Sequence, residues 1–178
     1  MLRLPYTVYR MPYTEYPGPS SSMSSPPLFA ADVMLGRTAR WLRMLGFDTF
    51  YDNRAGDDAL KKLCLEENRV LLTKDVALHK AMPAGGSRLV EAVYPRQQLE
   101  EIISVFHLEQ FTLPPRCSLC NGELAAIEKE LIRDLVPPYV FRTQSSFQRC
   151  QSCQKIYWQG THLGKISKFF ENIRKVSG

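Results

Sequence analysis

The sequence predicts an α/β protein, a parallel sheet with helices on both faces, joined to a small cysteine-bound module at its C-terminal end. Three observations carry this reading. Between residues 28 and 106 short apolar runs alternate with amphipathic segments of helical length, the pattern of successive βαβ units. Pro114-Pro115 interrupts that pattern. Beyond it stand two Cys-x-x-Cys pairs, in a stretch of different charge balance.

Leu28-Phe29-Ala30-Ala31 reads as the first strand and ends at Asp32. Residues 34–45 then place Leu35, Ala39, Leu42 and Leu45 on one helical face, with Gly46 positioned to cap the helix C-terminus. Phe47 to Tyr51 is the second strand. Gly56-Asp57-Asp58 opens a helix carrying Leu60, Leu63 and Cys64, with Asp57 as its expected cap. Arg69 to Thr73 forms the third strand, followed by Lys74-Asp75 and another helix, and Arg88-Leu89-Val90 forms the fourth, followed by a helix over about 96–106. Cys64 falls in an apolar stripe and is expected as a small buried hydrophobe.

Three segments follow from composition: a leader over residues 1–27, an α/β unit over 28–113 and a cysteine module over 114–178. The leader is rich in Pro, Ser and Tyr with no helical or strand period, so it is expected to be disordered and without a secretory signal. Its two arginines and single acid leave organelle targeting as a weak alternative to the cytoplasm. No apolar run approaches the roughly 20 residues that span a bilayer. Residues 29–113 carry 11 Lys/Arg against 12 Asp/Glu, whereas residues 114–178 carry ten against five. The positive charge thus belongs to the C-terminal third, including a basic helix expected at about 165–175, and fits either a polyanion such as RNA or a solvated basic face.

Cys117-x-x-Cys120 and Cys150-x-x-Cys153 are separated by 29 residues. Each pair can wrap a tight knuckle that turns two thiolates to one ion, and two knuckles complete a closed tetrahedral zinc site. Four protein ligands leave no open position, so the expected role is structural. Paired thiols of this kind also place the chain in a reducing compartment. The long spacing predicts a β-hairpin insertion holding Val140, Phe141 and Phe147.

Asp32, Asp58 and Asp75 occupy equivalent places in the repeat, at the carboxyl edge of a parallel sheet, where ligands bind. Hard oxygen donors gathered there suit Mg²⁺ or Mn²⁺, the arrangement of metal nucleases. Each also precedes a helix, and Asp is a preferred N-cap, so capping explains any one of them alone. Arg37, Arg40 and Arg43 follow at intervals of three. Arg37 and Arg40 are placed to hold phosphate oxygens, and Arg43, furthest from Asp32, is expected on a solvated face.

Several runs together resemble the Mut-seven C-terminal RNase domain family: Phe29 to Gly46 (FAADVMLGRTARWLRMLG), Asp57-Asp58, Asn68 to Asp75 (NRVLLTKD), Arg116 to Asn121 (RCSLCN), Leu135 to Pro138 (LVPP) and Cys153 to His162 (CQKIYWQGTH). The resemblance covers about residues 28–170. It implies a PIN-like α/β nuclease fold followed by a zinc ribbon, and metal-dependent hydrolysis of RNA. It also implies Asp32, Asp58 and Asp75 as the acids of the metal site, with Arg37 and Arg40 on the family's helix. Thr38 stands where an apolar residue is expected and Lys74 where Arg is usual. PIN-like nucleases often use a fourth acid, for which Glu91 is a weak match. The competing reading is a non-catalytic RNA- or protein-binding module in which the acids merely cap helices. A phosphoacceptor receiver domain is set aside, since neither its acidic pair nor its Lys after the last strand is found.

Overall fold

A computed structural model describes residues 25–158 and 169–171. The leader over 1–27 lies almost wholly outside the described residues, as does the expected basic helix at 165–175 apart from 169–171.

The first sheet consists of β1 (Phe29–Ala31), β2 (Thr49–Phe50), β3 (Val70–Thr73) and β4 (Ser87–Leu89) in the order β2-β1-β3-β4. Every pairing is parallel, with Ala30 opposite Phe50 and Leu71, and Leu72 opposite Arg88. Helices α1 (Gly36–Met44), α2 (Asp57–Glu66), α3 (Val76–Lys80) and α4 (Pro95–Phe106) connect and flank the strands. The central strands β1 and β3 are buried on both faces, and alternation along them sorts the core into two layers. Phe29, Ala31 and Leu72 face a cluster with Leu35, Ala39 and Leu42 of α1 and Leu99, Ile102, Ile103 and Phe106 of α4. Ala30 and Leu71 face the opposite cluster, with Leu60 and Cys64 of α2, Leu78 of α3 and Met82. The expected doubly covered parallel sheet is therefore present, and burial pushes the Cys64 thiol up to about 11.

Gly46 explains how α1 stops where it does. Its φ of +97° is open to glycine at little cost. The N–H of Gly46 bonds Arg43 O and that of Phe47 bonds Leu42 O, the paired closure of a helix end. A Cβ on Gly46 would lie 2.4 Å from Leu113 Cβ and 2.7 Å from Pro114 O. The same glycine thus lets the segment entering the cysteine module cross the end of α1.

The second sheet is antiparallel, β5 (Leu124–Ile127), β6 (Phe147–Cys150) and β7 (Ile156–Trp158), in that order. The insertion holds the expected hairpin, β5 paired with β6 and Phe147 on β6, but two of its expected residues lie outside it. Val140 and Phe141 lie on a short helix, α5 (Pro138–Thr143), because Pro137-Pro138 starts a helix more readily than it continues a ladder. They pack with Ile132, Val136 and Phe147 over the second sheet.

Candidate functional site

The cysteine knuckles are local twins. In each, the N–H of the second cysteine points at the sulfur of the first, from Cys120 to Cys117 Sγ and from Cys153 to Cys150 Sγ, both at 3.5 Å. In each, the next residue folds back, Asn121 N–H to Cys117 O at 2.9 Å and Gln154 N–H to Cys150 O at 3.0 Å. Asn121 and Gln154 both take left-handed backbone, with φ of +69° and +63°. Two such turns bring four sulfurs together, all within 4.8 Å of one another. Cys117 and Cys153 sulfurs are 3.5 Å apart, and those of Cys120 and Cys150 are 3.4 Å apart. A tetrahedral ion with bonds near ~2.3 Å needs sulfur separations of about 3.8 Å, so the quartet fits zinc with small adjustment. Tyr157 Oη lies 3.0 Å from Cys117 Sγ. Burial raises the Cys117 thiol, but the Tyr157 hydroxyl and the N–H groups of Cys120 and Leu119 outweigh it and bring it to about 6. Those groups favour the thiolate, the form that binds metal.

The knuckle is fastened to the first sheet. Arg43, expected on a solvated face, is instead only 3% exposed. Its Nε donates to Thr49 O at 2.8 Å, and one terminal nitrogen donates to Leu119 O at 2.9 Å and Ser118 O at 3.3 Å, inside the first knuckle. The reason is geometric, since Arg43 follows Ala39 by four residues and shares the flank of the buried stripe. Asp48 makes the second fastening. Its carboxylate accepts from Arg69 at 2.6 Å, Asn121 Nδ2 at 2.9 Å and Arg116 at 3.0 Å. Burial pushes Asp48 up, yet the Arg69 and Asn121 hydrogen bonds and the Arg69 and Arg116 charges hold it below its ordinary 3.8. A group so depressed adds stability in full above its unfolded pKa, and that contribution disappears as pH falls through the lower folded value. Asp48→Asn should therefore cost about 1–3 kcal/mol at neutral pH, with the gap from the parent closing below about pH 4. Chemical denaturation at stepped pH measures this, and a gap that widens with acid would contradict it.

At the carboxyl edge of the first sheet, Asp32 and Asp75 follow the neighbouring strands β1 and β3. Asp32 is 6% exposed. One oxygen accepts from Met34 N–H at 2.7 Å. The other accepts from Thr73 Oγ1 at 2.5 Å and Lys74 N–H at 3.2 Å. Thr73 Oγ1 in turn accepts from Asp75 N–H at 2.9 Å, so one hydroxyl links the two acids. Asp75 is exposed and caps α3, its Oδ1 accepting from Leu78 N–H at 2.8 Å. Asp58 sits in the first turn of α2 with its side chain 97% exposed, paired to Lys61 Nζ at 2.7 Å. Asp57 does not cap α2; Gly56 holds that position and no side chain bonds the turn. Among the described residues the cysteine quartet is the group of three or more potential ligands whose atoms lie within 4.8 Å, so the three aspartates are not drawn together to that extent. Arg37 and Arg40 are exposed on α1. Thr38 between them is buried because its hydroxyl donates to Gln98 Oε1 at 2.6 Å. Lys74 Nζ donates to the carbonyls of Val90, Glu91 and Ala92 at 2.8–3.3 Å, and Glu91 itself is exposed.

Sequence reasoning missed the roles of Thr73, Asp48, Asn121 and Tyr157. Each acts on a residue distant in the chain, and only Asn121, directly after a Cys-x-x-Cys turn, carried a local signal. No curated protein and no solved structure matches the chain. The family model described as the Mut7-C RNAse domain matches residues 27–170, which points to a nuclease-like function with RNA as substrate. The chain belongs to the Mut7-C RNAse domain family.

Proposed function

We propose that this chain is a ribonuclease that hydrolyses RNA phosphodiester bonds at an acidic Mg²⁺ or Mn²⁺ site formed by Asp32, Asp58 and Asp75. In this reading residues 28–113 are the nuclease unit and residues 114–178 a zinc ribbon that aids RNA binding, with Cys117, Cys120, Cys150 and Cys153 holding a structural ion. Thiolate ligands suit a reducing compartment such as the cytoplasm. The observation that carries the proposal is the pair of acids on adjacent parallel strand ends, Asp32 and Asp75, joined through Thr73 Oγ1.

The donor set fits a hard cation. A carboxylate offers about four lone-pair sites, and three donors reach Asp32, so one direction remains on the oxygen that Met34 touches. Asp75 keeps its second oxygen, since its cap uses Oδ1. Asp58 joins by turning away from Lys61, and an exposed pair of that kind resists little. When bound, such an ion lowers the pKa of water and offsets charge on the phosphoryl oxygens. Thr73 and the Met34 and Lys74 N–H groups fix the Asp32 carboxylate, so its orientation is set before substrate arrives. Arg37 and Arg40 supply exposed guanidinium groups for neighbouring phosphates.

A pool of structured and unstructured RNAs, incubated with Mn²⁺ or with chelator, tests this. Cleavage present with the metal and absent with chelator is expected. A second reading, a non-catalytic RNA- or protein-binding module, draws on the capping bonds of Asp32 and Asp75 and on the exposed, Lys61-paired position of Asp58. It becomes the better one if no RNA in the pool is cut under any metal condition.

A further inference from the structure

The loop between β4 and α4, residues 90–94, combines a tightly held backbone with bare apolar side chains. Its backbone is pinned from three directions. Lys74 Nζ donates to the carbonyls of Val90, Glu91 and Ala92. Glu101 of α4 accepts from the N–H groups of Glu91 and Ala92, both at 3.1 Å. Gln98, buried, donates Nε2 to the carbonyls of Ala92 and Val93 at 3.2 and 3.1 Å, and is itself fixed by the Thr38 hydroxyl. A loop tied by a lysine, a glutamate and a buried glutamine is preorganised, and side chains mounted on it lose little freedom when they bind.

What that loop presents is Val93 and Tyr94, which are 72% and 67% exposed. Val33, Met34 and Val76, each following a strand end beside Asp32 or Asp75, are also exposed. Five large apolar side chains therefore rim the carboxyl edge of one sheet, and apolar surface gathered in this way marks a binding face. Charge indicates what covers it. The Thr38–Gln98 bond lays the first half of α1, with its exposed Arg37, alongside the first turn of α4 that Tyr94 precedes. A ligand that suits a flat ring, a guanidinium and hard oxygen donors together has both an aromatic face and phosphates.

We propose that Val93 and Tyr94 form a fixed platform on which one base of the RNA stacks, holding the adjoining phosphate over Asp32 and Asp75. This rests on the nuclease reading and adds to it the residues that choose the substrate's conformation. A base can lie on Tyr94 only if it has left its own stack, so the platform selects a strand that is unstacked at that nucleotide. Base–aromatic stacking accounts for roughly five- to hundredfold in affinity when the ring is removed.

The test is binding, measured without added divalent metal so that cleavage plays no part. The probe is a short single-stranded RNA carrying one 2-aminopurine, whose emission responds to stacking. The parent, Tyr94→Phe and Tyr94→Ala are compared, with melting temperature as the folding control. Tyr94→Phe should bind as the parent does. Tyr94→Ala should bind roughly five- to hundredfold more weakly and lose the emission change, with its melting temperature unmoved, as suits an exposed side chain. If Tyr94→Ala binds the probe as tightly as the parent, the platform is wrong, although the acids can still be the nuclease site. If the variant instead abolishes self-association in sedimentation while RNA binding is unchanged, the face serves protein contact and the proposal is likewise overturned. Failure of the nuclease reading shows separately, as binding of the probe by a parent that cuts no RNA with Mn²⁺.

Discussion

Cys117→Ser should unfold the module beyond Pro115 and release its fastening to the first sheet. The apolar core there is small, with Ile132, Val136 and Phe147 as its buried members. A module of that size would draw its folding energy from a bound metal, with apparent binding of roughly 10–16 kcal/mol in finger peptides. Cys117 is the buried ligand that Tyr157 and the N–H of Cys120 address, so serine removes a thiolate and also disorganises its surroundings. A second loss would follow, because four thiolates holding Zn²⁺ would carry net negative charge opposite the buried guanidinium of Arg43. Burial lowers the Arg43 pKa while Cys117 and Cys120 act to raise it. Without the ion and its ligands that cation faces a disordered partner, and a buried charge left unpaired is strongly destabilising. Elemental analysis should find one zinc per chain, and circular dichroism should show loss of the module in the variant or on exhaustive chelation. Metal-free protein with an unchanged melting profile would refute the zinc assignment.

Asp75→Asn should abolish Mn²⁺-dependent cleavage while leaving the fold intact. Asn caps a helix about as well as Asp, and Oδ1, which receives Leu78 N–H, survives the substitution. What disappears is the negative charge offered to the cation, and a cation accounts for several kcal/mol at the transition state, so a loss of about a hundredfold or more is expected. Asp32→Asn should lose activity too but with a stability cost. Its second oxygen receives both Thr73 Oγ1 and Lys74 N–H. An amide nitrogen in that place would face the Lys74 donor with a donor, at about 1–3 kcal/mol. The pair therefore separates capping from catalysis. If Asp75→Asn melts like the parent and cleaves as fast, the acidic site is misassigned.

The α/β order was legible because its central strands β1 and β3 are nearly continuous apolar runs and its longer helices keep a clean stripe. The quartet was legible because a Cys-x-x-Cys turn is a local structure whose two copies need only be brought together. Arg43 was not. A helix seen alone puts an arginine on the flank of the stripe in water, and the carbonyls that receive it belong to Ser118 and Leu119, 75 and 76 residues further on. Thr38 has the same cause, since its polar partner Gln98 comes from another helix. Asp57 was misread because N-capping depends on φ and ψ as much as residue type, and Gly56 already holds the extended conformation of that position. Position after a strand was readable for Asp32 and Asp75, and position at the start of a helix for Asp58, whereas the direction of each carboxylate was not. That direction is set by Thr73 for Asp32, by Lys61 for Asp58 and by Leu78 N–H for Asp75.

Helix α1 begins one short turn after Asp32 and ends where Arg43 enters the knuckle. Its nine residues make it a ruler of about 13 Å between the acidic edge and the cysteine quartet. Distance is only half of what it sets. Each residue also advances the helix by about 100°, so the phase between Asp32 and Arg43 is as fixed as their spacing. A single insertion or deletion inside α1 would turn Arg43 out of its carbonyl socket or Leu35 out of the core. The length of this helix is therefore among the least negotiable quantities in the chain.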